Sequence, residues 1–325
     1  MNLIIIKLET MKYFAQILLT FCIVFPRLLH AQDVNRPSHL QYQVGNIEVV
    51  ALSDGTVDVD ADKLIEPKFD GQVNKLLQEK NLRNPIATSI NSFLIKIDNR
   101  LILVDVGAGE LLGGQTNGLL IAALKSAGHS ADQVTDVLIT HIHLDHTGGL
   151  LSRGKRAFPS AKIHVNKKEI GFWQAHQKPQ QSEAFGISIN RPAYFVLEPY
   201  LDANQVQIFE SNTELFPGIR AIEMIGHSPG HTLYELTSNT EKMLFWGDLI
   251  HIAPVQLENF DLGINYDLDK RKAAIQRGIS YKAAANEGYL IAASHITFPG
   301  IGRIINHKKG FNWAPVAALP KPATK

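Results

Sequence analysis

Cysteine is almost absent from this chain: one residue, Cys22, among 325. A mature chain beginning near Gln32 would carry none. Disulfides, thiolate metal ligands and a cysteine nucleophile are thereby excluded, and any site must be built from nitrogen and oxygen donors. The absence also suits an oxidising compartment. Charge is thin as well, with 19% charged residues, a net charge of +1 and no long run of lysine or arginine. Nothing in that balance points to a nucleic-acid backbone as partner. A G-x-S-x-G nucleophile turn is missing too; Ser228 precedes the turn Pro229-Gly230 but lacks that context. No internal repeat or low-complexity linker divides the chain, whose length suffices for a large core in one domain or two.

Long hydrophobic runs are confined to the N-terminus. Met11-Lys12 precedes an apolar stretch from Tyr13 to Pro26, and Arg27 then leads into Leu28-Leu29-His30-Ala31. The run is too short for a membrane span. It reads as a signal peptide over residues 1–31, with Ala31 before the cut and Met11 as an alternative start. A single domain over residues 32–325 is expected to follow, periplasmic or secreted, with an N-terminal extension and a Pro-rich tail over 315–322. The other reading of the segment is a buried N-terminal helix.

What the chain does have is a succession of short apolar runs. Ile47 to Leu52 reads as a strand closed by Asp54-Gly55. Two more, over 92–97 and 101–107, flank the turn Asp98-Asn99-Arg100. A helix is expected near Val73 to Glu79, another over 118–128 stopped by Gly128, and a long one from Leu268 to Glu287. Further strands are expected over 134–141, 161–165, 206–209, 219–225, 232–237, 243–247 and 288–295. Paired groups of strands set before helices suit two packed sheets with helices outside.

It also has 13 histidines, and their placing is the strongest signal in the chain. His141, His143, Asp145 and His146 stand together directly after the apolar run Val137-Leu138-Ile139. In an extended segment His141 and His143 point the same way. Asp145 and His146 follow a bend and need not serve the same ion. Thr147-Gly148-Gly149 lets the chain turn closely around them. Four donors cannot complete two catalytic metal sites, but the chain offers more: His227 and His231 around Ser228-Pro229-Gly230, Asp248 at the end of a strand, and His295 at the end of another. Each stands where an apolar strand runs out, so the donors can converge at one sheet edge.

These pieces resemble the metallo-beta-lactamase-fold hydrolases: the run His141–His146, His231, Asp248, His295, and Val104–Gly109 with Asp105 near the metals. The resemblance covers residues 43 to 310. It implies an α/β fold, the αββα sandwich, and two zinc ions per chain, with iron or manganese as the alternative metals. One ion would take His141, His143 and His231. The other would take Asp145, His146 and His295. Asp248 would bridge them, with a hydroxide between the ions as nucleophile, and Asp145 would double as the catalytic proton carrier. His227 is read as a loop residue supporting the site, and His164 as a strand residue.

Local pieces at 245–256, 267–277 and 295–304 resemble the branch with methyl-parathion-hydrolase-like enzymes and acyl-homoserine lactonases. That implies a small apolar lactone or ester as substrate, N-acyl-homoserine lactones first, and a homodimer. Phosphotriester or aryl ester hydrolysis is the alternative. Beta-lactamase or thioesterase activity stands lower, and a non-catalytic binding protein lower still. Trp173, Phe172, His251 and Phe298 are the candidate pocket residues. Phe185, Phe260 and the tyrosines Tyr194, Tyr266 and Tyr281 offer further contacts. No nucleic-acid partner and no stable membrane span in the mature chain are expected.

Overall fold

Two seven-stranded sheets carry the fold, and in each the strands lie side by side in chain order. The computed structural model describes residues 37–112, 116–176, 180–182, 187–189 and 193–319. Residues 1–31, Phe185 and the end of the tail lie outside the described residues. The first sheet comprises β1 (His39–Val44), β2 (Ile47–Val59), β3 (Ile86–Ile97), β4 (Arg100–Val104), β5 (Asp136–Leu138), β6 (Lys162–Asn166) and β7 (Val206–Phe209). The second comprises β8 (Glu214–Phe216), β9 (Ile219–Glu223), β10 (Thr232–Ser238), β11 (Glu241–Phe245), β12 (Leu290–Ala292), β13 (Ile301–His307) and β14 (Gly310–Pro315).

β4 to β7 are parallel, as are β11 and β12; the remaining neighbours in the two sheets are antiparallel. Parallel neighbours need crossovers. Helix α2 (Leu120–Ser126) lies between β4 and β5, α3 (Lys167–Ala175) between β6 and β7, and α4 (Lys270–Glu287) between β11 and β12. A further helix, α1 (Gln72–Glu79), precedes β3. Asp269 caps α4 by accepting the Lys272 N–H, and Gly288, at φ 66°, ends it.

Period-two alternation sorts the apolar side chains into layers. Phe93, Ile95, Ile102 and Val104 of the first sheet meet Tyr234, Leu236, Met243 and Phe245 of the second. The intervening Leu94 and Leu103 face α2 and α3. Leu233 and Leu244 face α4, where Tyr281 stacks on Trp246. Both faces of each sheet are therefore covered, which is why these strands read as continuous apolar runs. Each such buried side chain contributes about 1.5–3 kcal/mol. The result is the expected αββα sandwich. Among the described residues no helix is long and apolar enough to cross a membrane.

Two local expectations are corrected. Asp54-Gly55 does not close a strand: β2 runs on to Val59, with a register shift between Ser53 and Gly55. Gly55 takes φ +113° there, and the Asp54 carboxylate turns inward to accept N–H bonds from Ala108, Gly118 and Leu120. The chain after His295 also forms the hairpin β13–β14, beyond the strand over 288–295, the last one expected.

Candidate metal centre

The ligand turn is held before any ligand is considered. β5 stops at Leu138, and Asp105 accepts both the N–H and the hydroxyl of Thr140, each at 2.8 Å. Asp105 itself has φ +54°, rare for a residue other than glycine. A single helical turn, Leu144–Thr147, follows, with the His143 carbonyl accepting from the N–H groups of His146 and Thr147. Gly149 permits the close return: a Cβ there would lie 1.9 Å from the Val106 carbonyl oxygen. The ends of β5, β11 and β12 and the start of β10 bring His141, Asp248, His295 and His231 to one edge.

Two clusters of donor atoms form there. In the first, His141 Nε2 and His143 Nδ1 are 2.9 Å apart, and His227 Nε2 lies 3.2 Å and 3.0 Å from them. Three nitrogens at that spacing fit one ion at about 2.0–2.1 Å from each. The second gathers Asp145, His146 and His295. Asp248 belongs to both. Its Oδ2 lies 3.1 Å from His227 Nε2 and 3.5 Å from His141 Nε2. Its Oδ1 lies 2.9 Å from His146 Nε2 and 3.0 Å from His295 Nε2. Those last contacts lack hydrogen-bond alignment, so His146 Nε2, His295 Nε2 and Asp248 Oδ1 are buried without hydrogen-bond partners. Buried polar atoms do not normally stay unpaired. Their convergence fits a pair of cations bridged by Asp248.

Behind the donors stands a layer that aims them. Asp105 accepts from His146 Nδ1 at 2.8 Å, Asp267 from His227 Nδ1 at 2.9 Å, and the Ser89 carbonyl from His295 Nδ1 at 2.9 Å. Such partners fix which ring nitrogen faces the metal and raise its basicity. The carboxylates favour positive charge at some of these histidines and not at others. Burial opposes charging of His227 and His295, yet Asp248, with Asp267 and Asp145 respectively, outweighs it and raises them to about 9 and about 10. Burial and the neighbouring His227 push His143 down to about 3. Bound ions would displace the protons on His227 and His295, because only neutral imidazole ligates.

Of the residues expected from the sequence, His141, His143, Asp145, His146, Asp248 and His295 stand in the two clusters. His231 does not. It stands at the head of β10 with its ring turned beneath the site. Its Nε2 accepts the Asp248 backbone N–H at 3.0 Å, and its Nδ1 faces the Met224 carbonyl at 3.1 Å. The turn Ser228-Pro229-Gly230 sends His227 to the opposite side, so His227 fills the place assigned to His231. His251 lies 2.9 Å from Asp248 Oδ2. With Phe298 and His295 it lines a cavity of about 740 Å³ that runs out to Trp313. Trp173 and Phe172 do not line that cavity, but Trp173 borders the first cluster, edge-on to His143 with ring centres 5.5 Å apart, while Phe172 stacks on His176. His164 is a strand residue bonded to Asp136. Tyr281 is core, and the Tyr194 hydroxyl accepts from Gln174. Glu169, which supports the site, carries no motif that marks it in the sequence, and Asp267 is marked there only as the start of the 267–277 segment.

An αββα sandwich with two adjacent nitrogen and oxygen clusters sharing one aspartate, at the edge where its strands end, defines a class of dinuclear metalloproteins. The chain belongs to the metallo-beta-lactamase superfamily, whose family model matches residues 86–295. It is similar to a solved hydrolase of the beta lactamase superfamily, AbOPH, at 31% identity and TM-score 0.78, covering 88% of this chain and 100% of that one. It is also similar to AidC, a dizinc quorum-quenching lactonase solved with a product, at 25% identity and TM-score 0.75, covering 87% and 99%. An N-acyl homoserine lactonase of Bacillus thuringiensis is 25% identical over 188 residues, 52% of this chain and 65% of that protein. The chain thus spans just under two thirds of the length of that curated relative.

Proposed function

We propose that this protein is a dinuclear zinc hydrolase that opens lactone rings, N-acyl-homoserine lactones first among them. The division of Asp248's two carboxylate oxygens between the clusters carries the two-metal reading. The substrate class rests on the similarity to AidC and to the Bacillus lactonase. His141, His143 and His227 would hold one ion, Asp145, His146 and His295 the other, with Asp248 between them. Bound there, the ions supply a Lewis acid and a water whose pKa falls to about 7.

The protein's own groups do the rest. Asp145 is 13% exposed while its partners His146, Asp248 and His295 are at most 3% exposed, so it is the ligand carboxylate open to solvent. From there it can carry a proton to the leaving oxygen. Trp173 closes the side of the site next to His143. The cavity beside His251 and His295 is walled by Leu82, Ile86, Ile252, Phe298 and Trp313 and suits an apolar chain. Export rests on the Tyr13–Pro26 segment, and the homodimer on the resemblance of the chain. A secreted protein starting near Gln32 would support export; a retained Met1 or Met11 would refute it.

The test is turnover by the zinc-loaded protein on short- and long-chain N-acyl-homoserine lactones, a simple lactone, a paraoxon-like triester, an aryl ester and a cephalosporin. Preferential lactone turnover, lost in Asp248→Ala, is the expected result. Triester or aryl ester turnover with poor lactone turnover would replace the reading with a phosphotriesterase or arylesterase.

A further inference from the structure

Glu169, on α3, belongs to neither metal cluster, yet its carboxylate is buried and fully engaged. Oε1 accepts the Ile142 backbone N–H at 2.9 Å and the Trp173 indole N–H at 2.7 Å. Oε2 accepts the Ser228 hydroxyl at 2.6 Å and the Gly230 N–H at 2.8 Å. Ile142 lies between His141 and His143, and Ser228 follows His227. One carboxylate therefore holds both loops that supply the nitrogens of the first cluster, and the indole that packs against His143. The second loop is pressed close to α3, since a Cβ on Gly230 would fall 2.3 Å from the Glu169 nitrogen.

We propose that Glu169 is a positioning residue for the first metal: it sets the spacing between the His141–His143 pair and His227. The inference rests on the two-metal reading but not on the substrate. A carboxylate suits the task because four donors converge on it and it offers acceptors only. Glutamine keeps the shape but turns an NH₂ toward two of those donors. The Ser228 hydroxyl can rotate to accept, whereas the Gly230 N–H cannot. Glu169→Gln should thus displace one loop without emptying the space.

The experiment is competition for zinc between the full-length protein and a chromophoric chelator, with the visible spectrum of the cobalt(II) form recorded alongside. Glu169→Gln should weaken the first site by about 10–100-fold, leave the second with much the smaller change, and alter the cobalt spectrum. Asp136→Asn, another buried carboxylate change on β5, serves as the control for general destabilisation. If Glu169→Gln melts early like the control yet binds two ions with wild-type affinity and spectrum, Glu169 only supports the fold and the inference is wrong. If Glu169→Gln fails to fold, Ser228→Ala removes a single donor and should weaken the first site in the same direction; unchanged affinity there refutes the inference. A wild-type protein that binds no ion at the first site refutes the two-metal reading itself, and the inference with it.

Discussion

His227 and His231 stand four residues apart in one loop, and the structure gives them opposite jobs. His231→Ala removes the acceptor of the Asp248 N–H and the partner of the Met224 carbonyl. Both backbone groups are then left unpaired, at about 1–3 kcal/mol each, or about 2–6 kcal/mol together. In a domain of this size that lowers the melting temperature by roughly 5–20 °C, with or without metal. His227→Ala removes a donor of the first cluster instead. Asp267 still accepts the Ile264 N–H at 3.0 Å and lies 3.5 Å from Arg277, so the fold keeps its support. Metal affinity at the first site should fall by more than the roughly 10–100-fold typical of losing an outer partner. Melting curves with and without chelator, together with metal analysis of dialysed protein, separate the two. The reasoning fails if His231→Ala loses one equivalent of metal at unchanged chelated stability while His227→Ala retains two.

Other consequences follow from the same geometry. Asp136 is buried, which favours its neutral form, but bonds from His164, Thr135 and Arg100 outweigh burial and hold its carboxyl below the usual value. Its folded pKa is depressed, so its stabilisation is present above the unfolded value of about 3.9 and is lost as pH falls through the folded one. Denaturant titrations should show Asp136→Asn about 1–3 kcal/mol less stable at pH 7, with the gap closing below about pH 4; a gap constant down to pH 3 contradicts this. Asp105→Asn cannot accept from Thr140 twice and from His146 together, so kcat should fall about 10–100-fold with weaker metal retention at the second site; unchanged retention would show that Asp105 does not aim His146. Gly149→Ala puts its Cβ into the Val106 carbonyl, and should cost both stability and metal binding, read by melting and metal content.

Much of the fold is legible because the sheets are covered on both faces, which leaves apolar runs such as Leu101–Val104 with no polar interruption. The bulge at Gly55 was not, since Asp54-Gly55 is equally good turn chemistry and only the distant donors on Ala108, Gly118 and Leu120 decide otherwise. The donors at the ends of β5, β11 and β12 stood out because a histidine or aspartate closes an apolar run. The choice between His227 and His231 did not, because a loop with two histidines offers two equal donors. Capture of His231 by the Asp248 N–H settles it, and that contact spans 17 residues. Glu169 carries no signal in the sequence, since apart from Trp173 its partners lie 27 to 61 residues away.

The central claim is that Asp248 joins two ions in one site, and zinc titration of metal-free wild type and Asp248→Ala tests it most directly. Two equivalents per chain in the wild type, with both affinities weakened in the variant, are the predicted result. A single equivalent in the wild type, or two undiminished in Asp248→Ala, would contradict it.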